Sequence, residues 1–145
     1  MFKHILLPTD GSPLSAAAIP QALALARSCG ARVTVVHVVS DYHVFSCGAE
    51  ILAETREQYL QQTATHARML LAGIGEQAKE LGVRCDTVAL SAEEAYEAML
   101  QTAREQGCDL VCMAAHGRHG NKGLPLGSET LKVLAHSHIP VLVFR

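Results

Sequence analysis

The sequence predicts a three-layer α/β fold: a five-stranded, mainly parallel sheet with helices on both faces. Two observations carry this. Strand-like apolar runs alternate along the chain with segments of helical periodicity. The run Arg32 to Val39, "RVTVVHVV", is β-branched almost throughout, which suits a central strand covered on both faces rather than a half-exposed hairpin strand. At 145 residues with 49% apolar content, the chain fits a single domain, 1–145, with enough apolar side chains to fill a core.

Taken in order, Lys3 to Thr9 ("KHILLPT") reads as the first strand, stopped by proline. Asp10-Gly11-Ser12-Pro13 then supplies a turn, an N-cap serine and a proline at the first helical position. From Leu14 to Cys29 the alanines and leucines recur at helical spacing, and Gly30 closes the run as a C-cap glycine would. Pro20 removes a backbone donor inside that run, predicting one kinked helix rather than two. Asp41 to Ala49 reads as a loop. Glu50 to Leu81 reads as a long helix (Leu52, Tyr59, Leu60, Ala67, Leu70, Leu71), weakened at Gly73 and Gly75 and closed by Gly82. Val83 to Leu90 returns to strand, and Ala92 to Gln106 is an amphipathic helix ended by Gly107, with Ser91 and Glu94 spaced as a capping box. "DLVCMAA" is a buried strand, Ser128 to His136 a short helix, and "IPVLVF" a last strand.

Composition narrows the function classes. Twelve basic against 14 acidic residues and a pI near 6.4 leave no bulk positive field, and aromatics at 4% without tryptophan offer no stacking platforms, so nucleic acid is not an expected partner. The opening apolar run is too short for a signal sequence, and no stretch approaches the roughly 20 apolar residues of a membrane span. A soluble, cytoplasmic protein is expected, with no membrane partner. Five cysteines without CxxC spacing read as reduced, packed thiols.

The informative segment is "AAHGRHGNKGLPLGSET", Ala114 to Thr130, which holds four of the eleven glycines. Glycines let main-chain N–H groups approach a ligand closely, and several facing one way form an anion-binding concavity. Ser128, after Gly127 at a predicted helix start, adds an N–H, a hydroxyl and the positive end of a helix dipole. Arg118, His119 and Lys122 add positive charge, which suits a polyanion such as phosphate. The other reading is a surface loop with solvated basic residues. A Walker A loop is excluded, because Lys122 lies between Asn121 and Gly123.

"PTDGS" after the first strand, "VVHVV" as the second, and "AHG", nine residues, then "GS" resemble the universal stress protein family from end to end of the chain. Its nucleotide-binding branch carries Gly-x-x-Gly, nine residues, Gly-Ser/Thr. Gly117, Gly127 and Ser128 stand in register, and the first glycine is replaced by Ala114. The resemblance implies a Rossmann-like, adenine nucleotide alpha hydrolase-like fold and a module that binds ATP, with Mg²⁺ bridging the phosphates, and couples occupancy to stress-response signalling. It implies that Asp10 meets the ribose or phosphate side and that Val38 and the backbone near Pro8 and Thr9 border the adenine. Met113, Ala114, His116, Gly117, Arg118, His119, Gly127, Ser128, Glu129 and Thr130 would line the rest of the nucleotide. It further implies a homodimer paired through Val141 to Phe144, an apolar strand that needs covering.

Ala114 leaves a fork. A position with negative φ that clears the ligand tolerates one methyl group; a position needing φ above zero does not. The intact second half of the motif favours retained binding. Two alternatives stand beside the binding module: a dimeric interaction protein without nucleotide, and a slow ATPase using Asp10, His116 or His119 as base. No catalytic residues are assigned, since no nucleophile-base-orienter pattern is present. The pairs His116/His119 and His136/His138 lack further metal ligands nearby in sequence, so no metal site is assigned to the protein itself.

Overall fold

The computed structural model describes residues 1–40, 53–117, 123 and 125–145. Among them, five strands, β1 (His4–Pro8), β2 (Arg32–Ser40), β3 (Cys85–Ala92), β4 (Leu110–Ala114) and β5 (Val141–Phe144), form one sheet in the order β3-β2-β1-β4-β5. Every neighbouring pair is parallel. The helices are α1 (Pro13–Ala16), α2 (Ala18–Cys29), α3 (Ala53–Glu80), α4 (Ala95–Gln106) and α5 (Ser128–His136). The predicted three-layer α/β architecture is the one observed. The loop predicted over 41–49 and the start of the long helix at 50–52 lie outside the described residues.

Successive strand residues face opposite layers, and the core divides accordingly. Ile5, Leu7, Val33, Val35, Leu110 and Cys112 pack with Ile19, Leu23 and Ala26 of α2 and Leu71, Ile74 and Ala78 of α3. Leu6, Val36, Val111 and Met113 face the other way, against Met99, Leu100 and Ala103 of α4 and Val133 of α5. At about 1.5–3 kcal/mol for each fully buried Val or Leu, these two layers fix which helix sits on which face. β1 is buried throughout, whereas β3 and β5 are the sheet edges and carry exposed positions.

Three local expectations are corrected. The kinked helix is instead two helices meeting at Ala17, whose backbone stays right-handed (φ −63°, ψ −26°). This break puts Pro20 in the first turn of α2, where a backbone N–H has no intrahelical acceptor and its loss costs little. The capping box is not formed: Ser91 is still in β3, and Glu94 caps α4 without a side-chain bond. Its carboxylate instead lies 3.4 Å from Lys132 Nζ. The buried stripe of α3 is Ala67, Leu71, Ile74 and Ala78, while Tyr59 and Leu60 are exposed. Gly73 and Gly75 do not interrupt that helix, whose packed face supplies more than they cost. Gly30, Gly82 and Gly107 end their helices at φ +66°, +71° and +71°, the left-handed geometry that glycine adopts freely.

Candidate functional site

From β1 the chain builds outward to β2 and β3, then crosses to place β4 and β5 on the other side. The strand order therefore reverses between β1 and β4, and a doubly wound sheet opens its crevice at the carboxyl ends of the strands flanking that point. The β1–β4 register covers Ile5–Leu110 and Leu6–Val111, short of both carboxyl ends. "PTDGS" and "AAHG" emerge there, one from each strand.

On the β1 side a chain of short bonds shapes the turn. Thr9 Oγ1 and Ser15 Oγ share a hydrogen bond of 2.7 Å. The Asp10 N–H donates to Ser15 Oγ at 3.2 Å and the Gly11 N–H to Thr9 Oγ1 at 3.2 Å. The Ser12 N–H donates to Asp10 Oδ1 at 2.9 Å. Ser12 is the N-cap of α1, accepting from the Ser15 N–H at 3.2 Å, with Pro13 following it as predicted. Gly11 takes φ +80°, which lets the chain reverse within this small network. His37, buried on β2, donates from Nδ1 to the Thr9 carbonyl at 2.9 Å.

On the β4 side, the first turn of α5 is fastened to the strand end. The Gly127 N–H donates to the Ala115 carbonyl at 2.6 Å, and Thr130 Oγ1 donates to the Ala114 carbonyl at 2.9 Å. Gly127 is the N-cap of α5 and brings no side-chain cap, and Glu129 lies in the first turn, where the opening amides and the dipole's positive end favour negative charge.

The glycines serve close approach rather than unusual torsion, since neither Gly117 nor Gly127 has positive φ. A Cβ on Gly117 would collide with Asp10 Oδ2 and sit 3.3 Å from Asp10 Cγ. A Cβ on Gly127 would lie 3.2 Å from the Ala115 carbonyl oxygen and 3.4 Å from His116 Cα. Gly117 thus makes room for the Asp10 carboxylate, and the two strand ends touch across the crevice at this pair. No non-glycine residue among those described has positive φ, so Ala114, the last residue of β4, meets the backbone half of the condition under which a methyl group is tolerated.

Of the residues assigned from sequence, Thr9, Asp10, Ala114, His116, Gly117, Gly127, Ser128, Glu129 and Thr130 come together at this crevice. Pro8 is buried as the last residue of β1 and pairs with Val36. Val38, near the carboxyl end of β2, and Met113 belong to the α4–α5 side of the core, so each presents side chain to that layer. Arg118 and His119 lie outside the described residues. Two polar atoms at the crevice, His116 Nδ1 and Glu129 Oε2, are buried and meet no hydrogen-bond partner among the described residues, although the other Glu129 oxygen is 3.5 Å from Lys132 Nζ. No group of three or more His, Cys, Asp or Glu able to hold a metal occurs among the described residues. His136 instead stacks on Tyr96, with centroids 5.0 Å apart.

Sequence reasoning missed Ser15 and His37. Ser15 was legible in part, because a second serine three residues after the N-cap can turn back on the preceding turn. His37 carried no signal beyond its place in a strand. An open groove of about 800 Å³ also runs along α3 from Gln58 to Leu70 and meets the turn at Gly11. None of its lining residues was assigned to the site.

Fold and crevice together define a doubly wound α/β protein whose candidate site lies at the switch point of the sheet. The universal stress protein family model matches residues 1–145, and the chain belongs to that family. It is 30% identical over 149 residues to the universal stress protein YxiE of Bacillus subtilis, covering all of both chains. It is 34% identical over 150 residues to a universal stress protein of Thermus aquaticus, again over the full length of both. Among solved structures, protein MJ0577 superposes with a TM-score of 0.84 at 25% identity, over 99% of this chain and 95% of that one. A universal stress protein in complex with cAMP superposes at 0.67 and 18% identity over 99% and 97%. One from Archaeoglobus fulgidus in complex with dAMP does so at 0.67 and 17% over 100% and 98%. No helix among the described residues is long and apolar enough to cross a membrane.

Proposed function

We propose that this chain is an adenine-nucleotide-binding module, taking ATP with Mg²⁺ across the phosphates and coupling occupancy to stress-response signalling. The uncapped first turn of α5, fastened to the end of β4 inside the switch-point crevice, carries this reading. A helix start of this kind attracts phosphate oxygens, and the cAMP and dAMP complexes of two fold neighbours support an adenylate guest. The residues present fit such a guest. His116 Nδ1 is a buried atom that meets no hydrogen-bond partner among the described residues, and Ser128 offers a hydroxyl and an N–H at the helix start. Asp10 would supply a carboxylate of the kind that holds Mg²⁺ beside phosphate oxygens. When bound, the ion would screen the phosphate charge from Asp10 and Glu129. Pro8, Thr9 and Val38 would border the base, and Met113, Ala114, Gly117 and Thr130 would form the floor.

One observation favours the second reading, a family dimer without nucleotide: the Asp10 carboxylate fills the space beside Gly117. Leu142 on the edge strand β5 is exposed, and pairing of Val141–Phe144 with a second copy would cover it in either case. We place the protein in the cytoplasm as a single domain, 1–145. Isothermal titration with ATP, AMP and cAMP tests the nucleotide reading, with saturable heat expected for at least one of them. No heat at millimolar nucleotide, from folded protein, overturns it. A monomeric mass in light scattering at micromolar protein overturns the dimer.

A further inference from the structure

We propose that His37 is the positioning residue of the crevice: held as the Nδ1–H tautomer, it grips the Thr9 carbonyl and so sets where Thr9, Asp10 and Gly11 present themselves to a ligand. This rests on the nucleotide reading of that site.

The carbonyl of the last residue of β4 and that of the residue just beyond β1 are each taken by a buried side chain. At β4 it is Ala114, bound by Thr130 at 2.9 Å. At β1 it is Thr9, bound by His37 at 2.9 Å. Thr130 acts from the helix that the resemblance already implicates, whereas His37 reaches the Thr9 carbonyl from β2. The Thr9 N–H still donates to the Val36 carbonyl at 2.9 Å, so Thr9 is fixed to β2 on both its backbone groups, once by main chain and once by the imidazole. Its hydroxyl completes the lock through Ser15.

The chemistry of the bond determines the tautomer. A carbonyl oxygen only accepts, so Nδ1 must carry the proton, and in the neutral ring Nε2 is then the bare nitrogen. A peptide plane pinned at its oxygen cannot rotate, and that plane includes the Asp10 N–H. Asp10 in turn places the carboxylate that meets Gly117. His37 therefore acts on both walls of the crevice, together with the bonds that Ser15 and Ser12 make to Asp10.

Asparagine offers a useful substitute, because its Nδ2 stands the same number of bonds from the backbone as histidine Nδ1. Glutamine carries its donor one bond farther out, and leucine has none. With binding measured by titration of ATP or whichever adenylate the wild type takes, His37→Asn keeps affinity close to wild type. His37→Leu and His37→Gln lose about tenfold, the worth of one neutral hydrogen bond. Nitrogen-detected NMR of the wild type, at a pH where the ring is neutral, shows a protonated Nδ1 and a bare Nε2. An Nε2–H tautomer, unchanged affinity in His37→Leu, or equal losses in all three variants would overturn the proposal. Wild type that binds no adenylate removes the nucleotide reading itself, whereas wild type and His37→Leu binding alike removes only the role of His37. The tautomer measurement needs no variant to fold.

Discussion

The contact between Asp10 and Gly117 makes a prediction whose sign depends on its partner. At Gly117 the φ angle is not positive, so alanine is conformationally acceptable and would stabilise the fold by about 0.4–1 kcal/mol through the unfolded chain. Against this, the added Cβ takes the place of Asp10 Oδ2 and drives the carboxylate away. The bond from the Ser12 N–H to Oδ1, 2.9 Å long, is then lost, at about 1.5–3 kcal/mol for a charged acceptor. Gly117→Ala should therefore destabilise by about 1–2 kcal/mol, a fall in Tm of roughly 2–8 °C for a chain of this size. In an Asp10→Ala background the obstacle is gone, and the same change should be neutral or stabilising by up to about 1 kcal/mol. Calorimetric melts of the four proteins close the cycle. Equal costs of Gly117→Ala in both backgrounds would refute the argument that this glycine is there to admit a carboxylate.

Other predictions follow from the same geometry. Thr130→Val keeps the volume of a buried side chain but leaves the Ala114 carbonyl without its 2.9 Å donor, so urea denaturation should show a loss of about 1–3 kcal/mol, with Thr130→Ser recovering most of it. At the opposite end of β1, burial and then the charge of Arg32 push the His4 pKa below its ordinary value of 6.5. The unfolded chain therefore takes up that proton first, and the contribution of His4 to stability should be fully present above neutral pH and decline as pH falls below about 6.5. Melts of His4→Gln should lack that slope. Asp109 is distinguishable because it acts at lower pH. Burial raises its pKa, but the backbone bonds from His4 and Lys3 more than offset this and lower it, so its contribution is lost only below about 3.8. Burial pushes the Cys112 thiol up to about 12 and the Cys108 thiol up to about 11. Mass spectrometry after alkylation of folded protein should therefore find Cys29 and Cys85 modified well before either of them.

The fold was legible because its signals are local and repeated. β1 and β4 announce themselves as apolar runs, and glycine at three helix ends fits its left-handed torsion. The break at Ala17 was not legible, because proline states that a helix must adjust but not on which side of itself. Ser91 and Glu94 had the spacing of a cap, yet the pairing of β3 with β2 extends through Ala92 and keeps Ser91 in a strand. At the site, the glycines pointed to close approach, but sequence could not say what approaches: at Gly117 it is a neighbouring carboxylate. His37 was illegible for a further reason. Its partner is a main-chain oxygen 28 positions away, and a carbonyl has no letter in the sequence.

The stitching of α5 to the end of β4 has a consequence for the intervening segment. Ala115 and Gly127 are joined by a backbone hydrogen bond of 2.6 Å, so this stretch begins and ends at anchors held one hydrogen bond apart. Bringing the ends of about a dozen residues together costs on the order of 2 kcal/mol of chain entropy. That cost is met when the protein folds, and a guest arriving at the crevice need not supply it.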